Sequence, residues 1–122
     1  MTEVGPDSSG GAANDLRALL ALATAAAEAG GAVLREQAPR VASLRLRSKA
    51  VRRELVTEAD HAAEAAVVGR LLAARPQDAI LAEEGALTPA GRASNDARHR
   101  WIVDPLDGTT NFVHGLPFYC VA

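Results

Sequence analysis

Alanine sets the terms on which this chain can fold, supplying 27 of its 122 residues, while aromatic side chains make up only 3%. Small side chains bury little apolar area each. At ~25 cal/mol per Å2, the core such a chain can build is thin for its length, and its helices must pack closely to build one at all. The length itself fits one small domain or a part of a larger one. Thirteen cations against fifteen acids leave a net charge of −2, too balanced for the broad basic face of a nucleic-acid binder. The single cysteine, Cys120, excludes an intramolecular disulfide framework and a cysteine-based zinc cage.

Residues 1–14 are rich in Gly, Ser and Pro, carry acids and lack Lys or Arg, the reverse of a signal-peptide start. The apolar run 16–34 approaches the length of a bilayer span, but Arg17 and Glu28 interrupt it and alanine dominates it. The expectation is a soluble, cytoplasmic protein without a membrane segment.

Residues 1–13 have no apolar periodicity and are expected to be a disordered tail, with the folded domain covering 14–122. From Asn14 or Asp15, either a candidate N-cap, Leu16, Leu19, Leu20, Ala23, Ala27, Val33 and Leu34 recur at helical spacing. Gly30-Gly31 weakens that helix by ~1 kcal/mol per residue relative to Ala, which points to close packing there, and Pro39 marks its expected end. The alternation in 41–47, a polar turn through Ser48, Lys49, Arg52 and Arg53, and Leu55-Val56 together suggest a hairpin. Thr57-Glu-Ala-Asp60 resembles a capping box that opens a second helix, ended by Pro76. Residues 79–82 and 101–103 read as buried strands separated by a surface loop, and 118–122 as a strand-like apolar run.

The strongest chemical signal is Asp104-Pro-Leu-Asp-Gly-Thr-Thr-Asn111, directly after an apolar strand. Two carboxylates three residues apart can converge on one point if the chain turns between them, and Pro105 fixes one backbone angle there. Carboxylates and a backbone carbonyl are the oxygen donors that a hard divalent cation such as Mg2+ takes. Gly108 allows close backbone approach, and a short helix starting at Thr109 would point N–H groups at a phosphate. An isolated Asp-Gly pair would equally suit an Asx-type turn closing a strand. Glu83-Glu84, also at a predicted strand end, reads alone as a solvated turn. Two strand ends delivering acids to one rim, however, need a cation to offset their repulsion. Asp60 is explained by helix capping and Lys49 as a turn charge. His61, His99 and His114 show no metal-binding spacing, and Cys120 is expected to be a small buried hydrophobe.

The string W-I-V-D-P-L-D-G-T-T-N-F-V-H-G-L-P-F closely resembles the signature of the inositol monophosphatase family of Mg2+-dependent phosphomonoesterases. I-L-A-E-E-G resembles its G-E-E segment with Ala82 replacing glycine, and L-V-T-E-A-D-H its D-L-V-T-x-x-D segment with Glu54 replacing the first Asp. The resemblance runs from about Leu16 to Ala122 and implies an α/β layered sandwich, α-β-α-β-α in the full fold, of which this chain is the N-terminal part. It further implies that Glu83, Asp104 and the carbonyl of Leu106 hold one Mg2+, and that Asp104 and Asp107 contribute to a second. Asp107, Gly108 and Thr109 would cradle the substrate phosphate. Thr109, oriented by Asp60, would help activate a water for in-line attack, with Glu83 part of that catalytic set and Lys49 in a supporting electrostatic role. Such chemistry is coherent: phosphoryl transfer needs mainly positioning and charge neutralisation.

The family's second half carries a W-D-x-x-x-G-like segment that completes the second metal site, and no such string occurs here. The expected substrate is a small phosphate monoester, inositol 1-phosphate first. Histidinol phosphate, fructose 1,6-bisphosphate and 3′-phosphoadenosine-5′-phosphate are the alternatives within the fold. The expected activity of this incomplete chain is weak or nil, which leaves a non-catalytic interaction module as the alternative from another class. By resemblance, a full-length relative is expected to be a homodimer.

Overall fold

A computed structural model describes residues 8–43, 48–82 and 98–122. Five elements follow in order: helix α1 (Ser8–Ser43), helix α2 (Lys49–Ala74), strand β1 (Ala79–Ala82), strand β2 (Arg100–Val103) and the short helix α3 (Thr109–Val113). The fold is thus helices on a small parallel sheet, the α/β class expected. β1 and β2 pair in parallel, with Ala79 opposite Arg100 and Ala82 opposite Val103.

The long helices pack along each other, and the packing explains their extents. α1 begins at Ser8, ahead of the expected start at Asn14, and runs through Pro39 to Ser43. Proline removes one helical hydrogen bond, but Val41, beyond it, is fully buried with Leu34, Val56 and Ala59, and that contact carries the helix on for a further turn. The hairpin expected over 41–56 is not formed: 41–43 belong to α1, 44–47 lie outside the described residues, and Leu55-Val56 lie inside α2. α2 starts eight residues before Thr57, where the side chain of Ser48 caps it by accepting from the Val51 N–H at 3.4 Å. Thr57 therefore caps nothing. Its hydroxyl donates back to the Arg53 carbonyl at 2.8 Å, as a mid-helix threonine does. The buried side of α2 is one helical stripe, Val56, Ala59, Ala63, Val67 and Leu71, at spacings of three or four. α2 ends at Ala74, before Pro76, as expected.

Close approach at Gly30 holds the two helices together. A Cβ built there would lie 2.6 Å from Val67 Cγ2 and 3.2 Å from Val121 Cγ2. At Gly31 it would meet only the Arg35 guanidinium, at 3.8 Å. One cluster of buried side chains joins Leu34, Val41, Val56, Ala59 and Ala63 to Leu106 and Phe112, while a second joins Ala26, Val67, Val68 and Leu71 to Ile80 and Val103. Val121 packs against both. By length and apolar composition alone, Gly11–Ser43 is sufficient to cross a membrane; in this structure it lies along α2.

Candidate active site

The segment after β2 makes a tight, doubly clasped turn. Asp104 Oδ1 accepts from the Leu106 N–H at 3.2 Å, so the aspartate organises its own loop. Residues 120–122 then run back antiparallel beside it. Asp104 and Ala122 exchange both backbone bonds (2.7 and 2.9 Å), as do Asp107 and Cys120 (2.9 and 3.0 Å). The expected terminal strand is therefore realised as a single bridge whose function is to fix the acidic turn. Pro105 and Leu106 are buried beneath it.

Gly108 reverses the chain after Asp107. Its φ of 91° and ψ of 36° lie in the left-handed region, and a Cβ there would sit 3.0 Å from the Phe118 carbonyl oxygen. α3 starts immediately after it, as the sequence predicts, and Phe112 anchors that helix by an edge-to-face contact with Tyr119, centroids 5.0 Å apart at 85°. The side chain of Asn111 donates to the Phe118 carbonyl at 2.9 Å and closes the loop from the other side. Cys120 corrects its expectation. It is exposed, with its thiol 3.9 Å from Asp107 Oδ2, because the neighbouring residues that face inward are Tyr119 and Val121.

Three predicted residues from distant parts of the chain meet around one cavity of about 510 Å3. α2 contributes Lys49, Arg52, Arg53, Val56, Thr57 and Asp60, and α3 contributes Thr109 and Val113, with His114 just beyond it. Asp60 thus stands in the interior of α2, not at a helix start. Lys49 is a helical residue of its first turn and not a hairpin charge. The Thr109 hydroxyl donates to the Leu106 carbonyl at 3.3 Å, tying this wall to the acidic turn. Asp107 and Gly108 open instead on a neighbouring depression of about 290 Å3 shared with Asn111, Phe118 and Cys120. The left-handed turn at Gly108 separates the two sets.

The donors of the turn are the Asp104 and Asp107 carboxylates and the Leu106 carbonyl, an all-oxygen set that suits a hard divalent cation in kind. Among the described residues no three His, Cys, Asp or Glu side chains lie together closely enough to hold an ion. The third predicted acid, Glu83, and its neighbour Glu84 lie outside the described residues. Asp104 directly follows Val103, which pairs with Ala82 at the end of the sheet.

One polar cluster went unnoticed in the sequence. Asp78, buried just before β1, accepts from Arg75 Nε and, at 2.9 Å, from Trp101 Nε1, while an Arg75 guanidinium nitrogen lies 3.2 Å from His99 Nδ1. Burial alone would push the Asp78 carboxyl up. The two hydrogen bonds and the charges of Arg75 and His99 outweigh that effect and hold it below the ordinary value of 3.8. No local motif announces the cluster, since its members lie up to 26 residues apart and the fold alone gathers them.

Comparison with known proteins places this geometry in context. The family model described as the inositol monophosphatase family matches residues 15–122. The Nus factor SuhB of Pseudomonas aeruginosa is 36% identical over 107 residues, which cover 88% of this chain and 38% of that protein. The crystal structure of the extragenic suppressor protein suhB from Bartonella henselae superposes with a TM-score of 0.67 at 35% identity, covering 85% of this chain and 37% of that one. The inositol monophosphatase structure from Anabaena (Nostoc) gives a TM-score of 0.66 at 37% identity over 88% of this chain and 34% of its own. The chain thus spans little more than a third of the length of each of these proteins.

Proposed function

Since the chain belongs to the inositol monophosphatase family, we propose that it supplies the N-terminal share of a metal-dependent phosphomonoesterase site acting on a small phosphate ester, inositol 1-phosphate first. The observation that carries this reading is the convergence of Lys49, Asp60 and Thr109 on one cavity beside the clasped Asp104–Asp107 turn. Glu83, Asp104 and the Leu106 carbonyl would hold one Mg2+, and Asp104 with Asp107 would share in a second. When bound, the metal lowers the pKa of a water and neutralises charge on the phosphate.

The protein's own groups do the remainder. Lys49 draws the anionic ester into the cavity. Thr109 presents its backbone amide to the phosphate oxygens from the α3 wall, while the missing Cβ of Gly108 makes room for Phe118 and Tyr119 behind the turn. The Thr109 hydroxyl, held by the Leu106 carbonyl, orients the attacking water, and the Asp60 carboxylate across the cavity takes up its proton. Histidinol phosphate, fructose 1,6-bisphosphate and 3′-phosphoadenosine-5′-phosphate are the competing substrates. The setting we propose is the cytoplasm.

A second reading, a non-catalytic interaction module, draws on the exposure of Ile102 and Phe118, 73% and 80% open to solvent. One assay separates the two. Phosphate release from inositol 1-phosphate by the purified 122-residue chain is expected to be slow, to require Mg2+ and to vanish in Asp104→Asn. Release that survives this substitution would remove the phosphatase reading, and absence of release from a folded chain would favour the module.

A further inference from the structure

α3 fastens the chain that returns beside the acidic turn at two consecutive residues. Phe112 packs edge-to-face on Tyr119, and the Asn111 side chain donates to the Phe118 carbonyl at 2.9 Å. Burial of Phe112 keeps the returning chain close, but apolar packing is weakly directional and leaves its rotation open. A hydrogen bond to one carbonyl is directional and sets the tilt of the peptide that follows. Two residues further on, Cys120 exchanges both backbone bonds with Asp107, at 2.9 and 3.0 Å. Asn111 holds the intervening reversal a second time, since its own carbonyl accepts from the Leu116 N–H at 2.8 Å. The gripped atom is the one nearest the turn: the Phe118 carbonyl oxygen is what a Cβ on Gly108, next to Asp107, would meet at 3.0 Å. Asparagine is a poor helix former, so its place inside the five-residue α3 is explained by this bond and not by propensity.

We propose that Asn111 is a positioning residue for Asp107. Through Phe118 and Cys120 it fixes the main chain of the turn, and so holds the Asp107 carboxylate ready to share a divalent cation with Asp104. The inference rests on the metal-dependent reading given above, and it goes beyond that reading by placing control of one ligand in a side chain that is not itself a ligand. Asn111 and Asp107 line the same depression, yet the Asn111 amide is engaged with Phe118, so its influence runs through the backbone.

Hydrogen exchange reads the positioning directly. Mn2+ titrated into the 122-residue chain, with the free ion followed by electron paramagnetic resonance, reads its consequence. In Asn111→Ala the Asp107 and Cys120 amides are expected to exchange about fivefold faster, as loss of one hydrogen bond allows, while the Leu71 amide in α2 stays unchanged. Mn2+ affinity should fall about tenfold in Asn111→Ala and Asn111→Asp. Asn111→Gln, which keeps a donor on a longer stem, should recover part of it. Val68→Ala, in the cluster that the turn does not join, should lower the urea midpoint yet leave the affinity within about twofold. Unchanged exchange at Asp107 and Cys120, or an affinity lowered as much by Val68→Ala as by Asn111→Ala, would overturn the proposal. Asp107→Asn tells the two readings apart. Mn2+ binding that ignores this substitution removes the metal role of the turn and the positioning of a ligand with it. Mn2+ binding that needs Asp107 but ignores Asn111 removes the positioning alone.

Discussion

Gly108 is the residue on which the acidic turn depends. Its φ of 91° is costly for any L side chain, and a Cβ would press to 3.0 Å on the Phe118 carbonyl and 3.2 Å on Tyr119 Cα, both backbone atoms that cannot swing aside. Gly108→Ala should therefore lower stability by about 1–3 kcal/mol, measured by urea unfolding. Asp78 makes a different prediction. Its folded pKa lies below 3.8, so its stabilising contribution is present above that ordinary value and is lost as the pH falls through the lower, folded one. Unfolding experiments between pH 5 and pH 2 should show a drop in stability that Asp78→Asn reduces. Equal acid sensitivity in the two proteins would show that the Arg75–Asp78–Trp101 cluster is not its source. The turn through Asp104, Gly108 and Thr109 was legible in the sequence because its turn-forming residues stand close together. Asp78 was not, since its meaning comes from Trp101, 23 residues away.

At the level of elements, the two adjacent glycines of α1 should behave oppositely when replaced by alanine. Either change gains about 1 kcal/mol of helix propensity. At Gly30 the new methyl would lie 2.6 Å from Val67 Cγ2, and the stiff, β-branched valine gives way poorly, so overpacking of about 1–3 kcal/mol exceeds the gain. At Gly31 only a flexible arginine tip is near, and the full gain should appear. Thermal unfolding of both variants checks the contrast; stabilisation by Gly30→Ala would mean that the helices do not meet there. The expectation of close packing at this pair came directly from two helix-weakening residues inside a helical pattern. The hairpin misreading has an equally specific origin. Val41 was read with the residues that follow it, whereas its packing partners, Leu34, Val56 and Ala59, lie outside that short stretch. Pro39 misled because α1 continues through it to Ser43, with Val41 buried beyond the proline.

Across the whole molecule, the two-stranded sheet has one sealed face and one open face. Ile80 is 1% exposed among α2 side chains, whereas Ile102 on the neighbouring strand is 73% exposed. Ile80→Ala should cost about 2–5 kcal/mol, while Ile102→Thr should stay within about 0.5 kcal/mol, both read from urea midpoints. A large loss at Ile102 would show that something covers that face in solution. The α/β class came from the family resemblance and the two strands from short apolar runs, whereas their parallel pairing appears only in the structure. The division of site residues between two concavities was not legible either, because it follows from the handedness of a single backbone turn. The pairing of Asp104 and Asp107 with Ala122 and Cys120 also has a consequence for biosynthesis. A ribosome extends the chain at about 5–20 residues per second. The acids therefore emerge before the partner residues that shape them, and the loop is left to sample open forms until position 122 has cleared the exit tunnel. The acidic turn of a nascent chain is thus clasped only once residues 120–122 are free to fold back beside it.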